Sequence, residues 1–370
     1  MSDFAGALVV DLGSGMVKAG RAEDEMPSAH FPAIVGVPKS DVVMAGSESK
    51  TAYVGTQAQE KRDVLTINYP VKSGIIEDWR MAEQLLEHLF SHELTIDPQD
   101  FRVLAATAPN APAEHQERLV TILFERFEVA GCQLVSSAEL VMATAGSSTG
   151  LVVDIGDGFC TVVPVVEGRQ VRTAVVRSDL GGNVVTEAMQ TSLAEEGIDL
   201  RTSSASFEVV RSVKEQVCFV AADYAQETER GQAAAVELPD GTVIRPTVSR
   251  FKAPEILFDP QLFGYQTQGL AALVSEAIGK ADPAHRAALW NNVVLAGGTS
   301  ALPGLKERLA AELTTLSPKE KITVTVPQDS RHATWKGGSI LAQRPGFADR
   351  WITAALYEEH GPEAALTATA

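Results

Sequence analysis

An internal repeat constrains the fold of this chain more than any other feature of its sequence. Residues 8–15 read Leu-Val-Val-Asp-Leu-Gly-Ser-Gly and residues 151–158 read Leu-Val-Val-Asp-Ile-Gly-Asp-Gly, so six of the eight positions are identical. Each copy is a short apolar run rich in β-branched residues, which predicts a buried strand ending in an Asp and a Gly-x-Gly turn. Strand-like sequence follows each turn, so the pattern predicts two hairpins rather than the strand-to-helix turn of a Rossmann or P-loop site. The repeat implies two similar domains around a central cleft.

The two turns have the composition of a phosphate-binding site. Glycines in such turns permit positive φ and let backbone N–H groups approach a phosphate with no Cβ in the way. The glycines concerned are Gly13, Gly15, Gly156 and Gly158. Ser14 adds a hydroxyl donor, and Lys18 in the first hairpin can reach the terminal phosphates of a nucleotide. Taken alone, such a turn is more often an ordinary tight hairpin, and it is the second, nearly identical copy that favours a nucleotide site.

Two carboxylates, Asp11 and Asp154, stand at the ends of the two predicted strands. They would repel a triphosphate unless a cation lay between, and Mg²⁺ prefers carboxylates and water and bridges phosphate oxygens. We therefore predict that the chain binds ATP or ADP with Mg²⁺ or Ca²⁺, with Asp11 and Asp154 holding the metal through water. The same two carboxylates are the first candidates for a catalytic role.

A third glycine motif lies near the end of the chain. Residues 292–300 predict a buried strand that runs into a Gly-Gly turn, and a helix follows over 304–314. Gly297 and Gly298 would let a flat group lie against the backbone, although a strand–helix connection without a ligand fits the motif equally well. The remaining sequence alternates strands and helices, which predicts an α/β fold. The predicted elements are helices over 80–93, 114–129 and 209–222, a strand over 102–108 and a hairpin over 235–245.

Length and composition exclude several classes of protein. At 370 residues the chain is long enough for two halves with separate cores. The net charge of −17 argues against nucleic-acid binding, because phosphate backbones are bound by clustered Lys and Arg. Cys132, Cys160 and Cys218 lie far apart, which disfavours a disulfide framework or a zinc site. No stretch approaches the roughly 20 apolar residues of a membrane span, and we expect a cytoplasmic protein.

Taken together, these motifs resemble those of actin. The resemblance rests on the run from Leu8 to Gly20, on the second Asp-x-Gly-Asp-Gly turn and on the late Gly-Gly-Thr, and it covers essentially the whole chain. It is more specific than the Asp-x-Gly-x-Gly pattern alone, which sugar kinases and heat-shock chaperone ATPase domains share. Further matching stretches are residues 31–36, 53–55, 237–244 and 335–342.

The resemblance implies an actin-like ATPase fold of two large domains and four subdomains around a nucleotide. The first large domain would comprise residues 1–144 and 334–370, with 33–69 as a subdomain of its own. The second would comprise residues 145–333, with 181–265 as a subdomain. The resemblance also implies a cytoskeletal protein that hydrolyses ATP.

By the same resemblance, the nucleotide contacts fall into four groups. The first phosphate turn comprises Gly13, Ser14, Gly15, Met16 and Lys18. The second comprises Gly156, Asp157, Gly158 and Phe159. The nucleoside contacts are Gly182, Lys214 and Glu215, with Glu215 on the ribose. The adenine contacts are Gly298, Thr299, Leu302 and Arg331. Leu302 and Arg331 replace a Tyr and a Lys of actins, and both can still cover a purine.

The chain departs from the actin pattern where actins position the attacking water. Ser137 stands where they carry a Gln, and Thr161 where they carry a His, so these two are secondary catalytic candidates. Ala111 stands at the position of a cleft Asn, beside Asn110. Losing one positioning group costs on the order of 10²–10³ in rate. We therefore expect slow ATP hydrolysis, with Glu139 as a candidate for compensation.

Two segments bear on self-assembly. Residues 39–50 keep the length and the apolar Val42-Val43-Met44 of the loop that inserts into a neighbouring subunit in actin, although they also fit an ordinary surface loop. Residues 260–269 keep the apolar character of an inter-strand contact. A repeated head-to-tail contact yields an open helical filament, and at −17 per subunit its assembly should need divalent cations or salt. Regulators of the actin-binding type are further expected partners, but the C-terminal sequence lacks the actin ending.

Two other functions remain open. The first is a non-polymerising actin-related subunit of a larger complex that binds ATP structurally. The missing water-positioning residues favour it, whereas the intact loop 39–50 and the lack of large insertions oppose it. The second is a small-molecule kinase of the same superfamily. It would need a catalytic Asp near a second substrate pocket, and the actin-like spacing leaves little room for one.

Overall fold

The fold comes from a computed structural model, which describes residues 5–39, 51–62, 64–200 and 205–363. Within these ranges the chain is a mixed α/β protein, as predicted. The loop predicted at 39–50 lies outside the described residues from position 40 onward. The strands are β1 (Gly6–Leu12), β2 (Met16–Arg21), β3 (Ala29–Pro32), β4 (Val35–Pro38), β5 (Tyr53–Val54), β6 (Leu65–Asn68), β7 (Val71–Lys72), β8 (Ile75–Ile76), β9 (Phe101–Thr107), β10 (Gly131–Ser136), β11 (Gly150–Ile155), β12 (Cys160–Val166), β13 (Arg169–Gln170), β14 (Val176–Ser178), β15 (Val236–Glu237), β16 (Val243–Ile244), β17 (Val293–Ala296), β18 (Val324–Thr325) and β19 (Ile352–Thr353).

Helices connect most of these strands, and several end in a tighter or wider turn. The α-helices are α1 (Thr56–Glu60), α2 (Trp79–His88), α3 (Ala113–Thr121), α4 (Ser137–Thr144), α5 (Gly182–Glu195), α6 (Ala205–Val217), α7 (Tyr224–Arg230), α8 (Ser249–Glu255), α9 (Leu270–Lys280), α10 (Pro283–Trp290), α11 (Leu305–Leu316), α12 (Ala333–Ala342) and α13 (Ala354–His360). The π-helical turns are Leu89–Glu93 and Ile122–Arg126. The 3₁₀ turns are Pro98–Asp100, Arg172–Ala174, Pro260–Phe263, Gly298–Ala301, Ser330–His332, Pro345–Arg350 and Gly361–Glu363.

The chain divides into two compact units. The first unit contains Met1–Ser148, Gly168–Gln170 and His332–Ala370, and the second contains Thr149–Glu167 and Val171–Arg331. The domain and subdomain boundaries expected from the sequence stay predictions.

The main sheet of the first unit has β1 near its centre. The strand order is β3-β2-β1-β9-β10-β19. β1 pairs antiparallel with β2 and parallel with β9, and β10 is parallel to β9. Two smaller sheets complete the unit, β5-β4-β6 and the hairpin β7-β8.

The main sheet of the second unit repeats most of this topology. Its strand order is β13-β12-β11-β17-β18, and β14 pairs with β12 as well. The strands β14, β12, β11, β17 and β18 correspond to β3, β2, β1, β9 and β10. The directions match as well, since β11 pairs antiparallel with β12 and parallel with β17, and β18 is parallel to β17. The short repeat found in the sequence therefore belongs to a repeat of whole sheets.

Both faces of β1 are buried, which explains its uninterrupted apolar run. Leu8 and Val10 lie on the face covered by α2 and α3, in a cluster with Leu85 and Leu119. Val9 lies on the opposite face with Trp335 of α12, which is completely buried. The equivalent strand β11 is buried in the same way along residues 151–153. Each Asp-x-Gly-x-Gly turn therefore begins at the end of a fully buried strand.

The predicted elements are confirmed, with corrections at two helix ends. The helix predicted to residue 129 ends at Arg126, because Glu128 takes a positive φ of 51°. The helix predicted to residue 222 ends at Val217. Beyond it, the Val220 N–H donates to the Pro303 carbonyl at 2.8 Å, a tertiary bond that replaces a helical one. Among the described helices, none is long and apolar enough to cross a membrane.

Candidate functional site

The first turn is a two-residue hairpin loop made by Ser14 and Gly15. The Gly13 N–H donates to the Met16 carbonyl at 3.1 Å and closes the loop. The Ser14 hydroxyl accepts the N–H of Gly74 at 2.9 Å, from the loop between β7 and β8. The turn is therefore braced from outside its own hairpin. It lies where β1 ends beside the parallel β9 and β10, and the carboxyl ends of parallel strands are where open α/β sheets bind ligands.

The first carboxylate is paired with the lysine of the same hairpin. Asp11 and Lys18 are direct cross-strand partners in the β1–β2 register. The Lys18 Nζ lies 3.0 Å from Asp11 Oδ2, and the two side chains are only 17% and 15% exposed. The pair places a cation and a carboxylate on one face of the sheet, one strand residue before the turn.

The second turn has the same construction. The Gly156 N–H donates to the Phe159 carbonyl at 3.0 Å, which leaves Asp157 and Gly158 as the loop. Asp154 is the cross-strand partner of Thr161, as Asp11 is of Lys18. Thr161 is 2% exposed, so the position that carries the lysine in the first copy carries a buried hydroxyl in the second. The hairpin predicted for each copy is confirmed.

The reason for glycine in these turns differs from the one predicted. Neither Gly13 nor Gly156 has a positive φ, so the turns do not depend on the left-handed region. At Gly13 a Cβ would lie 2.8 Å from the Met16 carbonyl oxygen, so this glycine is required by a close approach within the hairpin. The expectation of positive φ at these positions is wrong.

Both loops present backbone donors. Within the described part of the chain, no hydrogen bond is found from the N–H groups of Ser14 and Gly15, or from those of Asp157 and Gly158. Successive N–H groups of a turn that point into open space form a cradle for an anion. The two loops thus have the donor set that a phosphate chain requires.

The second turn is anchored to the start of α5 and to the third glycine motif. The Gly182 N–H donates to the Gly156 carbonyl at 3.0 Å, and the Thr299 hydroxyl donates to the same carbonyl at 2.9 Å. A Cβ on Gly182 would lie 2.9 Å from the Thr299 hydroxyl and 3.2 Å from Asp157 Oδ1. Three of the residues predicted to bind the nucleotide, Gly156, Gly182 and Thr299, are therefore in direct contact.

Lys214 is buried beneath the start of α5. Its Nζ donates to the Gly182 carbonyl at 2.8 Å and to the Thr186 hydroxyl at 2.9 Å, and the residue is 7% exposed. Desolvation lowers the pKa of Lys214, and the nearby Asp157 carboxylate opposes this effect. Its neighbour Glu215 is exposed. Lys214 therefore supports the first turn of α5, and whether it or Glu215 contacts a nucleoside stays a prediction.

The lowered pKa of Lys214 predicts a specific pH dependence of stability. Between its lowered value in the folded chain and its ordinary value of 10.5, the unfolded chain binds the proton more tightly. The free energy of unfolding should therefore rise with pH in this window. We expect the rise to be smaller in Lys214→Met, measured as the difference between wild-type and variant urea unfolding at a series of pH values below 10.5. Parallel pH profiles for the two proteins would contradict this assignment.

Gly297 lies against the second carboxylate. Its backbone angles are φ 83° and ψ 161°, a region that only glycine occupies readily. A Cβ there would lie 2.3 Å from the Ile155 carbonyl oxygen and 2.5 Å from Asp154 Oδ1. Protein atoms therefore occupy the space on the Cβ side of Gly297, and whether a flat ligand lies against its backbone stays a prediction. Gly298 does have open space, with no atom within 4 Å of an added Cβ.

The remaining predicted adenine contacts lie near this turn. The Leu302 N–H donates to the Thr299 carbonyl at 3.1 Å, and the Leu302 side chain packs partly buried on the core of the second unit. Arg331 is exposed and follows Ser330, whose carbonyl accepts the Gly297 N–H at 3.1 Å. The segments that carry these residues are thus joined through the glycine turn.

Ser137 begins α4 directly after β10, on the same edge of the first sheet as the first turn. It is half-buried. Glu139, considered above as a compensating group, accepts the Gln170 N–H at 3.0 Å, and the Ser136 hydroxyl donates to Gln170 Oε1 at 3.0 Å. The Glu139 carboxylate therefore binds the backbone of the 168–170 segment.

Three contacting residues escaped the sequence reasoning. A terminal nitrogen of Arg211 lies 3.5 Å from Asp157 Oδ2. The sequence contained one indication of this contact, since Arg211 lies one helical turn before Lys214. Thr186 lies one helical turn after Gly182, and its hydroxyl accepts a hydrogen bond from the Lys214 ammonium. The Gly74 N–H donates to the Ser14 hydroxyl although the two residues are 60 positions apart, and no local pattern predicts such a contact.

The donors present fit a nucleotide with a divalent cation. Each turn offers unpaired N–H groups for phosphate oxygens, and each has a carboxylate two residues before its first glycine. Carboxylates are the ligand type that Mg²⁺ and Ca²⁺ prefer. Among the described residues, no group of three or more His, Cys, Asp or Glu side chains is placed to hold a metal.

A comparison with protein families gives one match. The family model described as Actin matches residues 2–368 of the 370 residues. The matched range includes both hairpin turns, the start of α5 and the third glycine motif.

Proposed function

Because this chain belongs to the actin family, we propose that it binds ATP with a divalent cation, polymerises head to tail into filaments and hydrolyses ATP slowly. The observation that carries the ATP-binding proposal is the pair of matching two-residue loops, each with two unpaired backbone N–H groups beside an aspartate. A cytoplasmic, cytoskeletal role follows from the same proposal.

The first turn would hold phosphate oxygens through the N–H groups of Ser14, Gly15 and Met16, with Lys18 supplying positive charge. The second would do so through Asp157, Gly158 and Phe159. Asp11 and Asp154 would hold a divalent cation through water, and the cation would supply positive charge against the phosphates. The nucleoside would lie against Gly182, Glu215, Gly298, Thr299, Leu302 and Arg331, with Lys214 beneath.

Lys18 offers a direct test of the phosphate role. We expect Lys18→Met to weaken ATP binding by about 10- to 100-fold, because a charge-assisted hydrogen bond contributes about 1.5–3 kcal/mol. Equilibrium binding of a fluorescent ATP analogue in Mg²⁺ would measure this. Lys72→Met is the matched control, since Lys72 forms an ion pair with Glu77 in which both side chains are more than half exposed. Equal affinity in the two variants would exclude Lys18 from the phosphate site.

The assembly proposal has support in exposed apolar side chains. Leu262 in the 3₁₀ turn Pro260–Phe263 is 44% exposed, and Tyr265 just after that turn is 36% exposed. Both lie within the segment expected to make an inter-strand contact. Filaments should sediment with ATP and Mg²⁺ above a critical concentration, and Leu262→Ser should raise that concentration. A wild-type protein that binds ATP but never sediments would instead favour the alternative of a non-polymerising subunit.

A further inference from the structure

The first loop residue of each hairpin turn is held through its side chain from outside its own hairpin. Ser14 and Asp157 occupy equivalent positions in the two copies of the repeat. The Ser14 hydroxyl accepts the Gly74 N–H at 2.9 Å, whereas Asp157 Oδ2 lies 3.5 Å from a terminal nitrogen of Arg211 in α6. The neutral hydrogen bond of the first turn is thus replaced by an ion pair in the second.

The two hairpins also differ in the charges that they supply themselves. In the first, Lys18 lies across from Asp11 and contacts it at 3.0 Å. In the second, Thr161 occupies the position of the lysine, and residues 151–166 contain no Lys or Arg. Asp157 therefore adds a negative charge to a loop that the proposed function assigns to phosphate, and its own hairpin offers no cation to offset that charge.

Arg211 is held beside this loop by neighbours on its own helix. A terminal nitrogen lies 3.6 Å from Glu208 Oε1, and the guanidinium carbon lies 5.6 Å from the centre of the Phe207 ring. The Arg211 and Asp157 side chains are 19% and 28% exposed, so water screens their attraction less than that of a fully exposed pair. Lys214, one turn further along α6, instead donates its hydrogen bonds to the first turn of α5.

The backbone of the loop is held by the start of α5. The Asp157 carbonyl accepts the Asn183 N–H at 2.9 Å, and a Cβ on Gly181 would lie 2.5 Å from the same carbonyl oxygen. This close packing fixes the backbone from which the Asp157 carboxylate extends. The carboxylate therefore stays near the N–H groups of the loop, where a phosphate would bind.

Two negative charges held close together in a partly buried site repel each other, and a cation paired with one of them removes much of that repulsion. We propose that Arg211 is a positioning residue of the second phosphate turn and gives this turn the positive charge that Lys18 gives the first. It acts through Asp157, because it neutralises the carboxylate and holds it on the α6 side of the loop. This inference rests on the proposed binding of ATP.

A double-mutant cycle in the full chain tests this role, with a fluorescent ATP analogue and Mg²⁺ as the probe. Arg211→Gln leaves the Asp157 carboxylate without its cation and should weaken binding by about tenfold or more. In the Asp157→Asn background the carboxylate is absent, so the same replacement should weaken binding by about twofold at most. Arg211→Lys keeps the positive charge and should stay within about threefold of the wild type.

Arg230→Gln is the matched control, because it changes the net charge equally but removes an exposed arginine that pairs with Glu227 in α7. It should leave ATP affinity within about twofold. A wild type that does not bind ATP would refute the proposed function itself. A wild type that binds ATP as tightly as Arg211→Gln does would refute only the role of Arg211.

Two further results would overturn this role. Equal losses of affinity from Arg211→Gln in the two backgrounds would mean that the arginine contacts the nucleotide directly or only supports α6. Thermal unfolding shows whether Arg211→Gln is folded. If it is not, Arg211→Lys decides, since a tenfold loss of affinity in that folded variant would show that the charge alone is not what the turn requires.

Discussion

Gly297→Ala is expected to reduce the free energy of unfolding by about 3 kcal/mol or more, the sum expected for a residue forced into a glycine-only region and for overpacking. The backbone at this position has φ 83°, and an added Cβ would lie 2.3 Å from the Ile155 carbonyl oxygen. The same Cβ would lie 2.5 Å from Asp154 Oδ1, so the carboxylate must move as well. Urea unfolding measures the loss of stability, and ATP binding in Mg²⁺ measures the effect of displacing the Asp154 carboxylate.

The neighbouring glycine provides the control. Gly298→Ala adds the same methyl group one residue further along, where no atom lies within 4 Å and φ is not positive. We expect its unfolding midpoint to match that of the wild type within error. If the two variants unfolded at the same denaturant concentration, the close packing of Gly297 against Asp154 would be refuted.

Ser137→Gln is expected to accelerate phosphate release by about 10- to 100-fold, since one catalytic positioning group is worth on the order of 10²–10³ in rate and a newly introduced group recovers only part of this. Ser137 begins α4 at the edge of the first sheet, where β1 and its turn also end. We expect a longer amide side chain at that position to hold the attacking water better than the serine hydroxyl does. Phosphate release is measured at saturating ATP, together with ATP affinity, which should change little.

Glu139 distinguishes this effect from a general change in α4. Its carboxylate accepts the Gln170 N–H, and glutamine retains an acceptor there, so Glu139→Gln should leave the rate of phosphate release unchanged. If Ser137→Gln gave no increase, the attacking water would be positioned by another group. If Glu139→Gln abolished release, Glu139 would be the compensating residue considered from the sequence.

Local structure at the two turns was predictable because it depends on local patterns. An apolar β-branched run, an aspartate and a Gly-x-Gly segment specify a strand and a tight turn in each copy, and both hairpins are confirmed. The pairing of Asp11 with Lys18 also follows from hairpin register, because residues equally distant from a two-residue loop face each other.

Adjacent residues with the same predicted role have different environments in the fold. Lys214 and Glu215 were both expected at the nucleoside, yet one is 7% exposed under α5 and the other faces solvent. Successive residues of a helix point about 100° apart. The buried Val210 and Val213 place Lys214 rather than Glu215 on the buried side of α6. That the Lys214 ammonium meets Gly182 and Thr186 depends on how α5 packs against α6, and no pattern within α6 contains that information.

The repeat alone therefore determined that this chain contains two hairpins, each with an aspartate near the end of its first strand. The alternation of strands and helices determined the α/β class, and the longer resemblance identified the family. The packing of distant segments decided what these glycines do. Gly182 makes room for Thr299, and Gly297 makes room for Asp154. Thr299 reaches the Gly156 carbonyl across 143 residues of sequence. Hairpins form from contacts between near neighbours, whereas contacts at such separations exist only once complete sheets and helices have packed together. The two matching turns are thus a property of the sequence, and their support is a property of the tertiary fold.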